Sequence, residues 1–234
     1  LEDPWNEPPA DIWTMTVDPA EAPDTPTYVE VGFEKGIPCS LDGEKMGMVE
    51  LIEKMNKIAG ENGYGRIDMI ENRYVGLKSR ECYAGLALIA AHKALEDLCL
   101  ERDVLHAKLS LEQAWADQVY NGRWFSPYKQ AIDAFMASTQ DMVSGTIKLK
   151  FYKGSCVVAG RKSACALYDQ NLATYDNDDA FDQKAAKGFI DIQALSLKTW
   201  AIKKSQVAQQ QETSSVKLDV VSGTCPACDQ AVNY

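Results

Sequence analysis

GRIDMIENRYVGLKSR, residues 65–80, reads as a β-strand whose inward face stops being apolar halfway along. With a period of two, Ile67, Met69, Glu71, Arg73 and Val75 share one side. A carboxylate and a guanidinium then stand where a core strand carries Val or Leu, which marks a site or a buried ion pair.

Outward from that stretch, the pattern alternates between strand and helix signals. Upstream, residues from Gly47 to Ala59 read as a helix closed by Gly60, with Val49, Ile52, Met55 and Ile58 on one face. Before it, Val29, Val31 and Phe33 alternate with Glu30 and Gly32 up to a Lys35-Gly36 turn, which predicts a hairpin starting at Tyr28. Seven of the nine prolines precede residue 39 (Pro4, Pro8, Pro9, Pro19, Pro23, Pro26 and Pro38), so residues 1–27 are expected to form an extended arm whose Trp5, Ile12 and Trp13 need a surface to lie on.

Downstream, Leu88, Ala91, Leu95, Leu98 and Leu105 recur at three-four spacing and predict one long helix over 86–108, with Arg102 alone breaking the stripe. A shorter helix is expected over 112–120, ending at Asn121-Gly122. Ser126-Pro127 then supplies an N-cap and a first-turn proline for a helix over 127–138. Ile147, Leu149 and Phe151 alternate with Lys148 and Lys150, and a Lys153-Gly154 turn returns the chain through Cys156 to Gly160 as a second hairpin. An acidic loop over 176–182 precedes a helix over 191–210. The tail, 204–234, alternates Val216, Leu218 and Val220 before Cys225-Pro-Ala-Cys228.

At 234 residues the chain suits one large domain with arms, and a net charge of −10 argues against nucleic acid, whose phosphates need a basic surface. No apolar run approaches the roughly eighteen residues of a bilayer span. Seven cysteines at scattered spacings (Cys39, Cys82, Cys99, Cys156, Cys165, Cys225 and Cys228) do not read as a secreted disulfide framework. They point to a reducing, intracellular setting, the cytoplasm or an organelle reached through a removed transit peptide.

A series of motifs, in order, carries a family resemblance: LEDPW (1–5), DIWTMTVDPAEAPDTP (11–26), FEKGIP (33–38), LDGE (41–44), the ENR of 71–73, VYNGRWFSP (119–127), GTIKLKFYKG (145–154), LYDQNLATYD (167–176) and GFIDIQAL (188–195). Over residues 1–203 the chain resembles the C-terminal half of argininosuccinate synthase, the ATP-dependent ligase that joins citrulline to aspartate. The resemblance implies an α+β fold with antiparallel hairpins packed on long helices. It divides the chain into an arm (1–27), the family domain (28–203) and a tail of its own (204–234).

The resemblance also implies a role for two residues. The Glu of the family's ENR motif and the Tyr a dozen positions later contact citrulline, and they match Glu71 and Tyr83. Their chemistry fits, because a carboxylate accepts from an amino or ureido group and a phenol donates or accepts. The competing reading pairs Glu71 with Arg73 or Arg80 as scaffold. The chain departs from the family pattern nearby: Tyr83-Ala84-Gly85-Leu86 is shorter than the family's Glu-Thr-Pro-small-Gly turn, and Glu81 stands where the family's Ser-Arg-Gly has Gly.

The family's phosphate-holding Ser-Gly-Gly-Leu-Asp loop does not occur here, nor does a Walker-type or dinucleotide-type glycine motif. Since adenylating a ureido oxygen requires ATP, a metal and both reactants in line, the chain alone is not expected to be a competent ligase and no cofactor is assigned. Cys225 and Cys228 form a candidate redox pair; a zinc site would need two further ligands, and His92 and His106 read as satisfied helix histidines, so no metal is expected. Arg66, Arg73, Lys78 and Arg80 are interleaved with Asp68 and Glu71 and read as internal ion pairs.

The first functional expectation is therefore a non-catalytic accessory or scaffold subunit derived from argininosuccinate synthase. Its partners are other protein subunits, met through the arm, the 86–108 helix and the tail. The alternative is the C-terminal half of a true argininosuccinate synthase. A third is a module that senses citrulline or arginine through Glu71 and Tyr83.

Overall fold

The structure is a computed structural model that describes residues 1–85, 87–169, 184–214, 222–224 and 231–233. Two compact units divide the chain, Leu1–Asp169 and Gln170–Tyr234. The fold is α+β, and every strand pairing in it is antiparallel.

The first unit is built on a sheet of five strands in the order β3-β2-β1-β6-β7. These are β1 (Thr27–Glu34), β2 (Ile37–Leu41), β3 (Glu44–Lys45), β6 (Gly145–Tyr152) and β7 (Ser155–Lys162). The alternation read from the sequence places one face inward: Val31, Ile147, Leu149 and Phe151 are fully buried, and Val29 and Phe33 nearly so. The register stacks Val29 against Leu149 and Val31 against Ile147 in the middle of the sheet. Both expected turns form. Lys35-Gly36 and Lys153-Gly154 have positive φ at both central residues, which is the geometry that matches strand twist in a two-residue hairpin.

Helices α1 (Met48–Glu61) and α2 (Ala87–Cys99) cover the inner face with Leu51, Met55, Ala91 and Leu95. Gly60 does not close α1. The helix runs on to Glu61, and Gly63 (φ 73°) takes the left-handed position beyond it, with Tyr64 N–H reaching the Ala59 carbonyl and Gly63 N–H that of Gly60. Gly60 instead lets the N-terminal arm pass, because a Cβ there would collide with the carbonyl of Met15.

The long helix expected over 86–108 is two helices, α2 and α3 (Arg102–Tyr120). Glu101 is extended (φ −64°, ψ 148°) and its carboxylate accepts from the N–H groups of Asp103 and Val104 at 2.9 and 3.2 Å, so it caps a new helix. The shorter helix expected over 112–120 is the second half of α3. Next, α4 (Pro127–Thr139) starts as the sequence indicated, with Ser126 Oγ accepting from Lys129 N–H at 3.1 Å. Trp115 Nε1 donates to Asp133 at 2.7 Å and joins α3 to α4.

Residues 65–80 are not one strand. The chain runs as β4 (Arg66–Asn72), reverses and returns as β5 (Lys78–Ala84), a separate two-stranded sheet. Arg73 N–H bonds the Leu77 carbonyl and Gly76 N–H bonds that of Arg73, with Gly76 at φ 86°. Val75 consequently stands at the loop tip, 77% exposed, rather than on a strand face. Neither face of the hairpin is core: Ile67, Met69 and Ile70 are each more than 40% exposed.

The even-numbered face of this hairpin holds the arm. Arg66 Nε donates to Thr16 Oγ1 at 2.9 Å, its Nη1 pairs with Asp18 at 3.2 Å, and the guanidinium lies over the Trp13 ring. Arg80 forks onto Asp68 at 2.9 and 2.6 Å and gives Nη1 to the carbonyls of Asp3 and Asn6. Farther along, Lys153 pairs with Asp24 and donates to the carbonyls of Ala20 and Ala22.

In the second unit, the helix expected over 191–210 starts earlier and is interrupted, as α5 (Ala185–Gln193) and α6 (Leu195–Ser214). Strands β8 (Ser222–Thr224) and β9 (Ala231–Asn233) pair with each other. The acidic loop over 176–182, the Val216–Val220 alternation and the Cys225 and Cys228 pair lie outside the described residues. Among those described, no helix is long and apolar enough to cross a membrane.

Candidate functional site

Antiparallel pairing puts directly opposed residues on the same face, so the odd-numbered face of the hairpin collects Ile67, Met69 and Glu71 from β4 with Tyr83, Glu81 and Ser79 from β5. The two residues that the resemblance singles out meet there. Tyr83 Oη donates to Glu71 Oε1 at 3.3 Å. The Glu71 side chain is 13% exposed although its strand is not core.

Arg73, just past the end of β4, folds back over the same face. Its Nη2 stands 2.6 Å from Glu81 Oε1 and 3.4 Å from Glu71 Oε2, while Nε donates to Ser79 Oγ at 2.9 Å. The Glu81 side chain thus packs along the hairpin as a partner of Arg73. Its carboxyl is held below the usual carboxylate range by the hydrogen bonds from Arg73 and Ser79, and Arg73 is raised in turn, chiefly by Glu81 and then by the Glu71 charge.

Tyr120, the last residue of α3, approaches the same carboxylate. Partial desolvation and the neighbouring Glu71 charge push the phenols of Tyr83 and Tyr120 above their ordinary value. Both therefore remain protonated hydrogen-bond donors throughout the neutral range. Beyond them, Arg123 donates to Tyr74 Oη at 2.7 Å and ties the loop after α3 to the hairpin tip, leaving Phe125 90% exposed at the rim.

A carboxylate flanked by phenols and a fixed guanidinium can accept from the N–H groups of an α-ammonium or a ureido group. Sequence reasoning named Glu71 and Tyr83, and the fold brings the two together on this face. It missed that Arg73 bridges two carboxylates, because that depends on the register across the turn, and it missed Tyr120, which comes from another helix. Only the VYNGRWFSP motif pointed toward that region.

The other expected candidates separate from this face. Arg66 and Arg80 pair internally and hold the arm. His92 lies on α2, with Nε2 3.0 Å from Gln140 Oε1 and Nδ1 3.7 Å from Glu96. His106 is exposed on α3. Among the described residues, no group of three or more His, Cys, Asp or Glu side chains is placed to hold a metal ion. The five described cysteines are free, and burial pushes the Cys156 thiol up to about 11.

A second concavity, about 920 Å³, opens between the β1–β2 turn and helices α2, α3 and α4, lined by Phe33, Ile37, Leu88, Trp115 and Met136 among others. Behind two of its lining residues, Lys108 and Gln140, the buried Glu96 (1% exposed) pairs with Lys108 at 3.1 Å and accepts from Gln140 at 2.8 Å. Burial works against the Lys108 charge, but hydrogen bonds to Glu112 and Glu96 outweigh it and raise its pKa. Among the described residues no buried side-chain nitrogen or oxygen lacks a hydrogen-bond partner, so the network reads as structural.

Comparison with known proteins agrees with the sequence motifs. Residues 1–200 match the model of the family described as "Arginosuccinate synthase C-terminal domain". The chain is 51% identical over 218 residues to the argininosuccinate synthase of Rubrobacter xylanophilus, covering 92% of this chain and 53% of that protein. It is 53% identical over 204 residues to that of Symbiobacterium thermophilum (86% and 51%) and 52% identical over 210 residues to that of Listeria monocytogenes (88% and 52%). The chain spans about half the length of these relatives. It belongs to the argininosuccinate synthase C-terminal domain family.

Proposed function

We propose that this chain supplies the citrulline-holding side of an argininosuccinate synthase site, with Glu71 and Tyr83 as the contacts to the amino acid. The observation that carries the reading is their juxtaposition at 3.3 Å on the odd face of the β4–β5 hairpin. Beside Ile67 and Met69, that face carries two carboxylates, a hydroxyl and a phenol where an ordinary hairpin would pack apolar side chains. Holding citrulline is the part of the reaction these residues suit. Forming the C–N bond needs an ATP-activated ureido carbon and an aligned aspartate, which this reading assigns to a nucleotide-binding half.

The test is a citrulline titration of the chain followed by backbone amide shifts. Changes confined to residues 67–83 and to Tyr120 are expected. Shifts elsewhere, or none at millimolar citrulline, overturn the reading.

A second reading, a non-catalytic subunit retained for its surfaces, is favoured by helices α5 and α6, where Phe189, Ile190, Leu195, Leu197 and Trp200 are each 60% exposed or more. It predicts a native assembly with other protein subunits that lacks any nucleotide-binding polypeptide. A homotetramer, or an assembly containing such a polypeptide, argues against it.

A further inference from the structure

We infer that Arg73 is a positioning residue for Glu71, and that Glu81 is the anchor that sets it. Arg73 follows Asn72, where β4 ends, and its backbone is fixed by the hydrogen bonds that close the reversal, from its own N–H to the Leu77 carbonyl and from Gly76 N–H to its carbonyl. Its Cα therefore has one place. The flexible side chain is then pinned at its far end by two contacts on the returning strand, Ser79 Oγ at Nε and Glu81 Oε1 at Nη2.

The same Nη2 stands 3.4 Å from Glu71 Oε2, leaving Oε1 to Tyr83. A planar guanidinium fastened at two points keeps its positive charge in a fixed place beside Glu71, as an ammonium on a free stem does not. Glu71, on β4 two residues before Arg73, thus has one oxygen drawn to the fixed Arg73 charge and the other held by the Tyr83 hydrogen bond. A ligand N–H arriving at this carboxylate meets acceptor lone pairs already aimed, so less side-chain freedom is lost on binding.

The arrangement also explains why the three groups are all charged on so open a hairpin. A lone Arg73–Glu71 pair would neutralise the acceptor it serves. With Glu81 taking the shorter contact, the cluster carries a net negative charge and Glu71 retains the weaker share of the guanidinium. The inference rests on the reading of Glu71 as a ligand-holding group, and it deepens that reading by naming what orients it.

The experiment uses the full chain and three variants, Arg73→Lys, Glu81→Gln and Glu81→Asp, with three nuclear magnetic resonance readouts. The first is the Glu71 χ1 distribution from three-bond couplings without ligand. The second is the exchange rate of the Arg73 Nε–H. The third is the citrulline dissociation constant, and cross-strand contacts between Ile70 and Arg80 monitor the fold of the hairpin.

In the parent chain, one Glu71 rotamer and a slowly exchanging Arg73 Nε–H are expected. Arg73→Lys should average Glu71 over several rotamers and weaken citrulline by about fivefold, the scale of one exposed charged contact. Glu81→Gln should speed Nε–H exchange and weaken citrulline by about threefold, with Glu81→Asp recovering part of both. An unchanged Glu71 rotamer distribution in Arg73→Lys and Glu81→Gln, with the hairpin contacts intact, overturns the inference. So does a parent chain in which Glu71 is already averaged. If the parent shows no citrulline response, the functional reading fails, while the rotamer and exchange data still decide whether Arg73 positions Glu71.

Discussion

The five-stranded sheet and the β4–β5 hairpin obey the same local rules and end as opposite kinds of structure. Both alternate with period two and both reverse at turns containing a glycine with positive φ. In the sheet, the alternating positions are Val, Ile, Leu and Phe, and two helices bury them. In the hairpin, the same positions include Glu71, Glu81 and Tyr83 on one face and Asp68 and Arg80 on the other, and ion pairs with a docked arm take the place of a core. The difference teaches that the sheet is specified by burial and the hairpin by charge placement. A region held mainly by partly exposed ion pairs contributes less to stability than a buried core, since surface pairs are worth about 0–1 kcal/mol, but it can hold polar groups open to a ligand.

That contrast can be broken most forcefully in the sheet. Phe151→Ala removes a fully buried ring and should cost about 3–5 kcal/mol in denaturant unfolding of the first unit. Near the sheet, Lys108→Ala strands the buried Glu96 carboxylate and should cost about 3 kcal/mol. Much of that loss should be recovered when Glu96→Leu is added, because the stranded charge then goes too. A cost no larger than an ordinary surface change would show that water reaches Glu96.

Smaller effects sharpen the other side of the comparison. Gly60→Ala should displace the arm at Met15, costing about 1–2 kcal/mol and opening residues 1–27 to limited proteolysis while the sheet stays intact. In acid, the carboxyls of Asp68, depressed chiefly by Arg80, and of Glu81, depressed chiefly by Arg73, bind protons less readily in the folded chain than in the unfolded one. Their contribution is present above the ordinary carboxylate range and is lost as pH falls through the depressed folded values. Amide protection factors, corrected for the intrinsic exchange rate at each pH, should therefore fall in β4 and β5 at low pH before they fall in β1 and β6. Simultaneous loss in both sheets would mean that the hairpin is not independently held.

How far the sequence revealed this architecture depended on whether the signal was local. Lys35-Gly36, Lys153-Gly154 and Ser126-Pro127 carry their geometry within two residues, and the structure places turns and a cap at all three. Gly76 carried an equally local signal. Read with a period of two, Val75 just before it continues the strand pattern across the reversal. The break at Leu100 and Glu101 was hidden for a different reason: Glu is an unusual N-cap, and the apolar stripe from Leu88 to Leu105 runs across the interruption. At α1, Gly60 drew the helix end toward itself, when its lack of a side chain serves the crossing arm.

The site was legible only in part, for the same reason. Glu71 and Tyr83 came from a motif, whereas the Arg73 bridge and the approach of Tyr120 exist only once register and helix placement are known. Glu81 shows this most plainly: in sequence it was an intrusion at a glycine position, and in the fold it is the counter-charge of Arg73.

The most direct test of the central claim is calorimetric titration of citrulline into the chain and into its Glu71→Gln and Tyr83→Phe variants. The account predicts binding by the parent, a loss of about tenfold or more in Glu71→Gln and a smaller loss in Tyr83→Phe, as expected when a charge-assisted and then a neutral hydrogen bond are removed. Equal affinity in the parent and in Glu71→Gln would contradict it.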